Sequence, residues 1–296
     1  MPITIRPLET IDDLHAIKEV EKAVWAIDDA DTVPLHVLTT VAHNGGCVLG
    51  AFEGDRLVGF VFGFIGADES APDRPALARL KHCSHILGVL PEYQGAGLGY
   101  QLKLAQRDFV LKQGIRLVTW TYDPLESRNA RLNIAKLGAV CRTYRLNVYG
   151  DMPDKLNAGL PSDRLQVDWW VTSARVKERL FGRRAALVLE SFTSAGAEIL
   201  NPTQIAPDDG LPRPPQQVRL PSETFALVEI PHSFQAIKMQ DMTLAREWRL
   251  TTRAIFTGAF EHGYLITDFF SEVLEGRRRS FYALSQGGGR VELSEN

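Results

Sequence analysis

Between Pro91 and Phe109 the chain reads PEYQGAGLGYQLKLAQRDF, with three glycines, Gly95, Gly97 and Gly99, at alternate positions. They separate an apolar run ending at Leu90 from a segment whose Leu98, Leu102, Ala105 and Phe109 share one helical face. Alternate glycines remove the side chains that keep a ligand away from the backbone. Amides just ahead of a helix point outward with the positive end of the dipole behind them, and such a turn binds phosphate oxygens. No Lys-Ser or Lys-Thr follows the glycines, which excludes a P-loop, and Tyr100 stands near the place where GxGxxG needs its third glycine. Asp123, at the end of the next apolar run, keeps a nicotinamide-dinucleotide reading open. Upstream, strand alternation groups His85 with Cys83, Leu87 and Val89 and turns His82 to the opposite face. An imidazole near its ordinary pKa of ~6.5 exchanges protons at neutral pH.

The elements that must hold these residues follow from periodicity. Thr4 to Pro7 reads as a strand, and Ile11 to Trp25 as a helix behind the capping residue Thr10. Residues 33–46 read as a second helix closed by Asn44-Gly45, and residues 46–66 as a hairpin around Glu53-Gly54-Asp55. A polar, proline-broken loop precedes the strand that reaches Leu90, and a helix from about Gly97 to Lys112 precedes the strand at 115–122. A short helix, a turn at Gly138 and two further strands, 142–149 and 163–171, follow. Residues 201–222 are proline-rich connection. After them come a strand, a helix of about 25 residues and two strands, repeating the strand, helix, strand order of residues 84–122 without a glycine turn. The reading divides the chain into domains 1–175 and 176–296, the second a smaller α/β unit that shapes the acceptor end of a cleft and admits an origin by duplication.

Gln94-x-x-Gly97-x-Gly99 after LGVLP resembles the signature of the GCN5-related N-acetyltransferase (GNAT) superfamily, and the order of elements from Ile3 to Val171 follows that family. The resemblance implies a mixed, mostly antiparallel α/β sheet flanked by helices, with acetyl-CoA or another acyl-CoA as cosubstrate. It implies that the pyrophosphate sits on Gln94, Gly95, Ala96, Gly97, Leu98 and Gly99, and that pantetheine pairs with Leu87, Gly88 and Val89 on a splayed strand. His85 is similar in position to the base histidine of the arylalkylamine N-acetyltransferases. The family's second motif shows in SRNARLNIAKLGA through Ala130, Lys136 and Gly138, but Ser127 replaces its Asn and Ile134 its Tyr. Because that Tyr commonly protonates the departing thiolate, the acid is expected elsewhere, with Tyr122 and Tyr144 as the candidates. Asn129 and Asn133 are expected to bond coenzyme or the neighbouring loop.

Composition narrows the partners. A formal charge of -3 and a pI near 6.2 lack the basic excess that nucleic-acid binding needs. Three cysteines fit neither a disulfide framework nor a CxxC metal pattern. No leader-like amino terminus and no long apolar run are present, so a cytoplasmic protein with no metal, no membrane and no nucleic-acid partner is expected. The function expected is acetyl transfer to a small primary amine by direct attack, by a monomer or a homodimer. Succinyl or other acyl transfer to an amino acid, a silent acyl-CoA sensor and a nicotinamide-dependent oxidoreductase are the alternatives.

Overall fold

The computed structural model describes residues 2–70, 72–150, 158–182 and 187–287. Their packing forms two compact units that divide between Trp120 and Thr121.

In the first unit, β1 (Ile3–Pro7), β2 (Cys47–Glu53), β3 (Arg56–Ala67), β4 (Leu80–Val89) and the first part of β5 (Leu117–Tyr122) lie side by side in chain order. The first three neighbouring pairs are antiparallel and the last is parallel. Helix α1 (Ile11–Trp25) starts where expected, because the Thr10 Oγ1 accepts the Asp13 N–H at 3.1 Å. Its Leu14, Ile17 and Val20 are buried, which fixes the face that meets the sheet. A short helix, α2 (Leu35–His43), and α3 (Leu98–Lys112) complete the unit. Leu102, at the centre of the α3 face, packs into the same core as Phe60 and Phe62 of β3. This is the mixed, mostly antiparallel architecture that the sequence implies.

The second unit begins with the last residues of β5 and continues through α4 (Ser127–Ala130), which runs on as π-helix from Arg131 to Lys136. Then come β6 (Val140–Arg145), β7 (Arg164–Trp170), α5 (Ala174–Phe181), α6 (Leu189–Ser194), β8 (Glu198–Ile199) and a minor hairpin of β9 (Gln204–Ile205) and β10 (Pro212–Arg213). The last elements are β11 (Phe225–Ile230), α7 (Phe234–Gln240), α8 (Met242–Glu261), β12 (Tyr264–Leu274) and β13 (Arg277–Gln286). Its strands follow the order β7, β6, β12, β13, β11, β8.

The expected boundary at 175 runs through this second unit, for β12 pairs with β6 at Ile266 and Cys141, and Arg253 of α8 binds Asp163, which precedes β7. The expected single long helix is two, because the Asp241 carboxylate accepts the Leu244 N–H at 2.9 Å and starts a new helix there. The strand, helix, strand echo also differs in topology. β4 and β5 pair directly, whereas β11 and β12 each pair with β13 between them.

Candidate functional site

The glycine turn is built as its spacing requires. Gly95 and Gly97 adopt φ of 89° and 86°, the left-handed region, and Gly97 is the N-cap of α3. A Cβ at Gly97 would meet nothing within 4 Å, so conformation and not space selects glycine there. Gln101 N–H reaches the Gly97 carbonyl at 3.1 Å, so the N–H groups of Leu98, Gly99 and Tyr100 precede the first helical bond. Gln94, Gly95 and Ala96 are exposed, and the Gln94 amide donates back to the Val89 carbonyl at 2.9 Å. That bond ties the turn to the end of β4 and occupies one of the groups expected for pantetheine.

β4 itself is forked from its neighbour. Its described pairs with β5 are His82 with Val118 and Cys83 with Thr119, after which β4 runs on from Ser84 to Val89. On the other edge, Phe62 faces Ile86 and Gly63 faces Ser84, so His85 is the extra residue of a β-bulge. The uninterrupted alternation expected for His85 therefore fails at this point. His85 and Ile86, neighbours in sequence, both line one cavity of about 600 Å³. The His85 ring meets those of Phe62 and Phe64 at centroid distances of 5.7 and 6.1 Å. Val33, Val37 and Val41 close the cavity from the connection between α1 and α2 and from α2 itself, with Asp31 and Thr32 beside them. Desolvation lowers the His85 pKa, which leaves the imidazole neutral and able to accept a proton at neutral pH. The neighbouring connection is held by Glu21, whose buried carboxylate accepts the Val33 N–H at 3.2 Å and whose pKa is pushed up to about 7 by desolvation.

His82 faces the other way, as expected, into a buried polar cluster that the sequence did not disclose. Its Nε2 lies 3.1 Å from the Gln106 amide nitrogen, and the Gln106 oxygen accepts from Lys103 at 3.2 Å. Lys103 also donates to the Ser84 hydroxyl at 2.8 Å and sits 3.7 Å from the centre of the Trp120 ring. Lys103 and Gln106 occupy the apolar side of α3, where helical periodicity alone calls for leucine-like residues.

The remaining expected residues belong to the second unit. Tyr122 is buried and donates its hydroxyl to Tyr282, which donates in turn to the Pro124 carbonyl. Tyr144 donates to Asp163 at 3.0 Å. Desolvation raises both phenol pKa values, that of Tyr122 well above the ordinary value. Ile134 and Asn133 are buried, Asn129 is exposed, and the Ser127 hydroxyl donates to the His232 carbonyl at 2.6 Å. The Asp123 carboxylate, the feature that kept a dinucleotide reading open, is bound by Arg249 and by the Leu125 N–H. Among the described residues, no group of three or more His, Cys, Asp or Glu side chains is placed to hold a metal ion, and no helix is long and apolar enough to cross a membrane.

Comparison with known proteins agrees with the turn. Residues 12–138 match the sequence model of the acetyltransferase (GNAT) family. Among curated proteins there is no match. Solved structures that align include the ribosomal-protein-S18-alanine N-acetyltransferase from Escherichia coli, with 18% identity over 58% of this chain and 96% of that one and a TM-score of 0.44. A polyamine N-acetyltransferase from Drosophila melanogaster aligns with 15% identity over 56% of this chain and 99% of that one, TM-score 0.44. Naa50 from Arabidopsis thaliana, in complex with the bisubstrate analogue CoA-Ac-MVNAL, aligns with 17% identity over 57% of this chain and 98% of that one, TM-score 0.43. The glycine turn and the forked strand both lie inside residues 12–138, the stretch that matches the acetyltransferase (GNAT) family model, and this match supports an acetyltransferase enzyme.

Proposed function

We propose that this protein transfers an acyl group, acetyl first among them, from an acyl-CoA to a primary amine with an apolar body. The observation that carries the reading is the conjunction on one strand: β4 ends in a left-handed glycine turn opening onto a helix start, runs past its last pair with β5, and bulges at His85 into an apolar cavity. In this reading the amides from Gly95 to Gly99 take the coenzyme pyrophosphate, with the α3 dipole behind them, while the Gln94 N–H stays with the Pro91 carbonyl. Leu87 and Gly88 offer backbone groups to pantetheine on the free edge of β4, while the Val89 carbonyl stays with Gln94.

The acceptor enters the cavity, where the walls of valine and phenylalanine suit an alkyl or aryl body and Asp31 suits an ammonium on arrival. His85 takes a proton from that ammonium, the amine attacks the thioester carbonyl, the C–N bond forms and the C–S bond breaks with its electron pair on sulfur. Tyr122 and Tyr144 each commit the hydroxyl proton to a neighbour and are weakened as acids, so the reading gives neither of them the thiol proton. A functional division of labour is proposed for the residues beyond about 175, which contribute acceptor specificity without being a separately folding domain. A cytoplasmic location is proposed with it.

The test is calorimetric titration with acetyl-CoA and, separately, NAD, followed by thiol release from a panel of acyl-CoA thioesters crossed with alkyl and aryl amines. Binding of acetyl-CoA with amine-dependent thiol release supports the reading. Binding without release by any amine favours a sensor, to which the buried Ile134 in place of the family's tyrosine would correspond. Binding of NAD alone would overturn it.

A further inference from the structure

Lys103 is an amine buried to 3% exposure without a carboxylate partner among the described residues. Its surroundings come from three strands and its own helix: Ser84 and His82 of β4, Trp120 of β5, Cys47 of β2, and Gln106 one turn along α3. Desolvation brings its pKa down to about 7. A cation enclosed in this way is costly unless something supplies the missing negative charge. Its position says where that charge arises. The last paired residues of β4 and β5 are Cys83 and Thr119, and Lys103 bridges the next residue on each strand, Ser84 by a hydrogen bond and Trp120 by its ring face. The ammonium therefore closes the crotch of the fork, on the side of β4 away from the His85 cavity.

We infer that Lys103 is a positioning residue for the departing thiolate: it holds the Ser84 hydroxyl as a proton donor at the fork and replaces that proton from its own ammonium. The inference rests on the acyl-CoA reading above and answers the question that Ile134 leaves. When the C–S bond breaks, the electron pair stays on sulfur, the Ser84 Oγ–H passes its proton to sulfur, and Lys103 reprotonates Ser84. His85 carries the proton lost by the amine and releases it to water, and Lys103 takes one back from water after coenzyme A leaves. The sum is amine plus thioester giving amide plus thiol. Gln106 fixes the Lys103 ammonium from the far side, and its contact with His82 fixes Gln106.

The readout is the titration of the thiol of coenzyme A bound to the full-length protein, followed by the ultraviolet absorbance of the thiolate, in wild type, Lys103→Met and Ser84→Ala. Lys103→Met removes a buried charge at similar volume and holds or raises the thermal midpoint, and Ser84→Ala removes one hydroxyl, so misfolding does not stand in for the effect. The expected result is a bound thiol that ionises at lower pH in wild type than in either variant, with coenzyme A affinity for the neutral thiol kept within about threefold and turnover lowered by about 10²-fold. Lys103→Met with wild-type thiol titration and wild-type turnover overturns the inference and leaves the acyl-CoA reading standing. Failure of the wild-type protein to bind coenzyme A at all overturns both.

Discussion

His85 owes its proposed role to two local facts, a bulge that inserts it and two phenylalanine rings that desolvate it. Its pKa is lowered, so the base form persists at neutral pH and turnover falls only as pH drops through a value below the ordinary ~6.5 of histidine. His85→Gln is expected to lose ~10²- to 10⁴-fold in kcat with acetyl-CoA affinity unchanged; a loss below about threefold would make the ring a wall of the cavity and nothing more. Glu21 sets a different pH dependence. Its folded pKa of about 7 lies above the ordinary glutamate value of 4.5, so folding favours the protonated carboxyl. Its stabilisation is present below the unfolded value and is lost as pH rises through the folded one. Glu21→Gln is therefore expected to raise stability by about 1 kcal/mol above neutrality, the desolvation of the buried amide limiting the gain, and to change little at acid pH; thermal midpoints at the two extremes check this. At this scale the sequence was only partly legible. His85 and the glycines could be named from type and spacing. Lys103 and Gln106 could not, since polar residues at apolar helical positions read as surface, and only the fold shows a buried hydroxyl and an indole waiting for them.

The glycine turn is the element on which coenzyme binding depends. Gly97→Ala is expected to cost about 1 kcal/mol for a left-handed residue with a Cβ. Gly97→Glu adds a carboxylate where the pyrophosphate would lie and is expected to abolish coenzyme binding while circular dichroism stays native; a folded variant that binds acetyl-CoA like wild type would move the site elsewhere. Such turns were readable because glycine spacing, an apolar run and a helical face coincide. The bulge was not, for Ser84-His85-Ile86 carries no glycine or proline to mark it, and only pairing with β3 shows that one residue is extra. The join between α7 and α8 lies between these cases. Apolar periodicity runs on across it, yet Asp241 stands three residues before Leu244 as an N-cap would, a signal that helical spacing outvoted.

The division of the chain was the least legible feature, because strand pairing between distant segments leaves no mark in local composition. Residues 121–150 and 158–182 belong to one compact unit with residues 187–287, joined by the pairing of β6 with β12 and by Arg175 and Arg179 with Asp268. A chain ended after Thr172 would leave Asp268 and β12 behind, bare the edge of β6, and is expected to aggregate or to unfold at much lower denaturant than the full chain. A well-folded truncated protein with an unchanged first unit would restore the boundary near 175. The same pairing sets a timetable for synthesis. β6 leaves the ribosome roughly 125 residues before the stretch of β12 that pairs with it, an interval on the order of ten seconds at ~5–20 residues per second. For that time a nascent strand shows an open edge, so expression from a strong promoter at high temperature is where insoluble protein should first accumulate, and slowed translation or added trigger-type chaperone is where it should disappear.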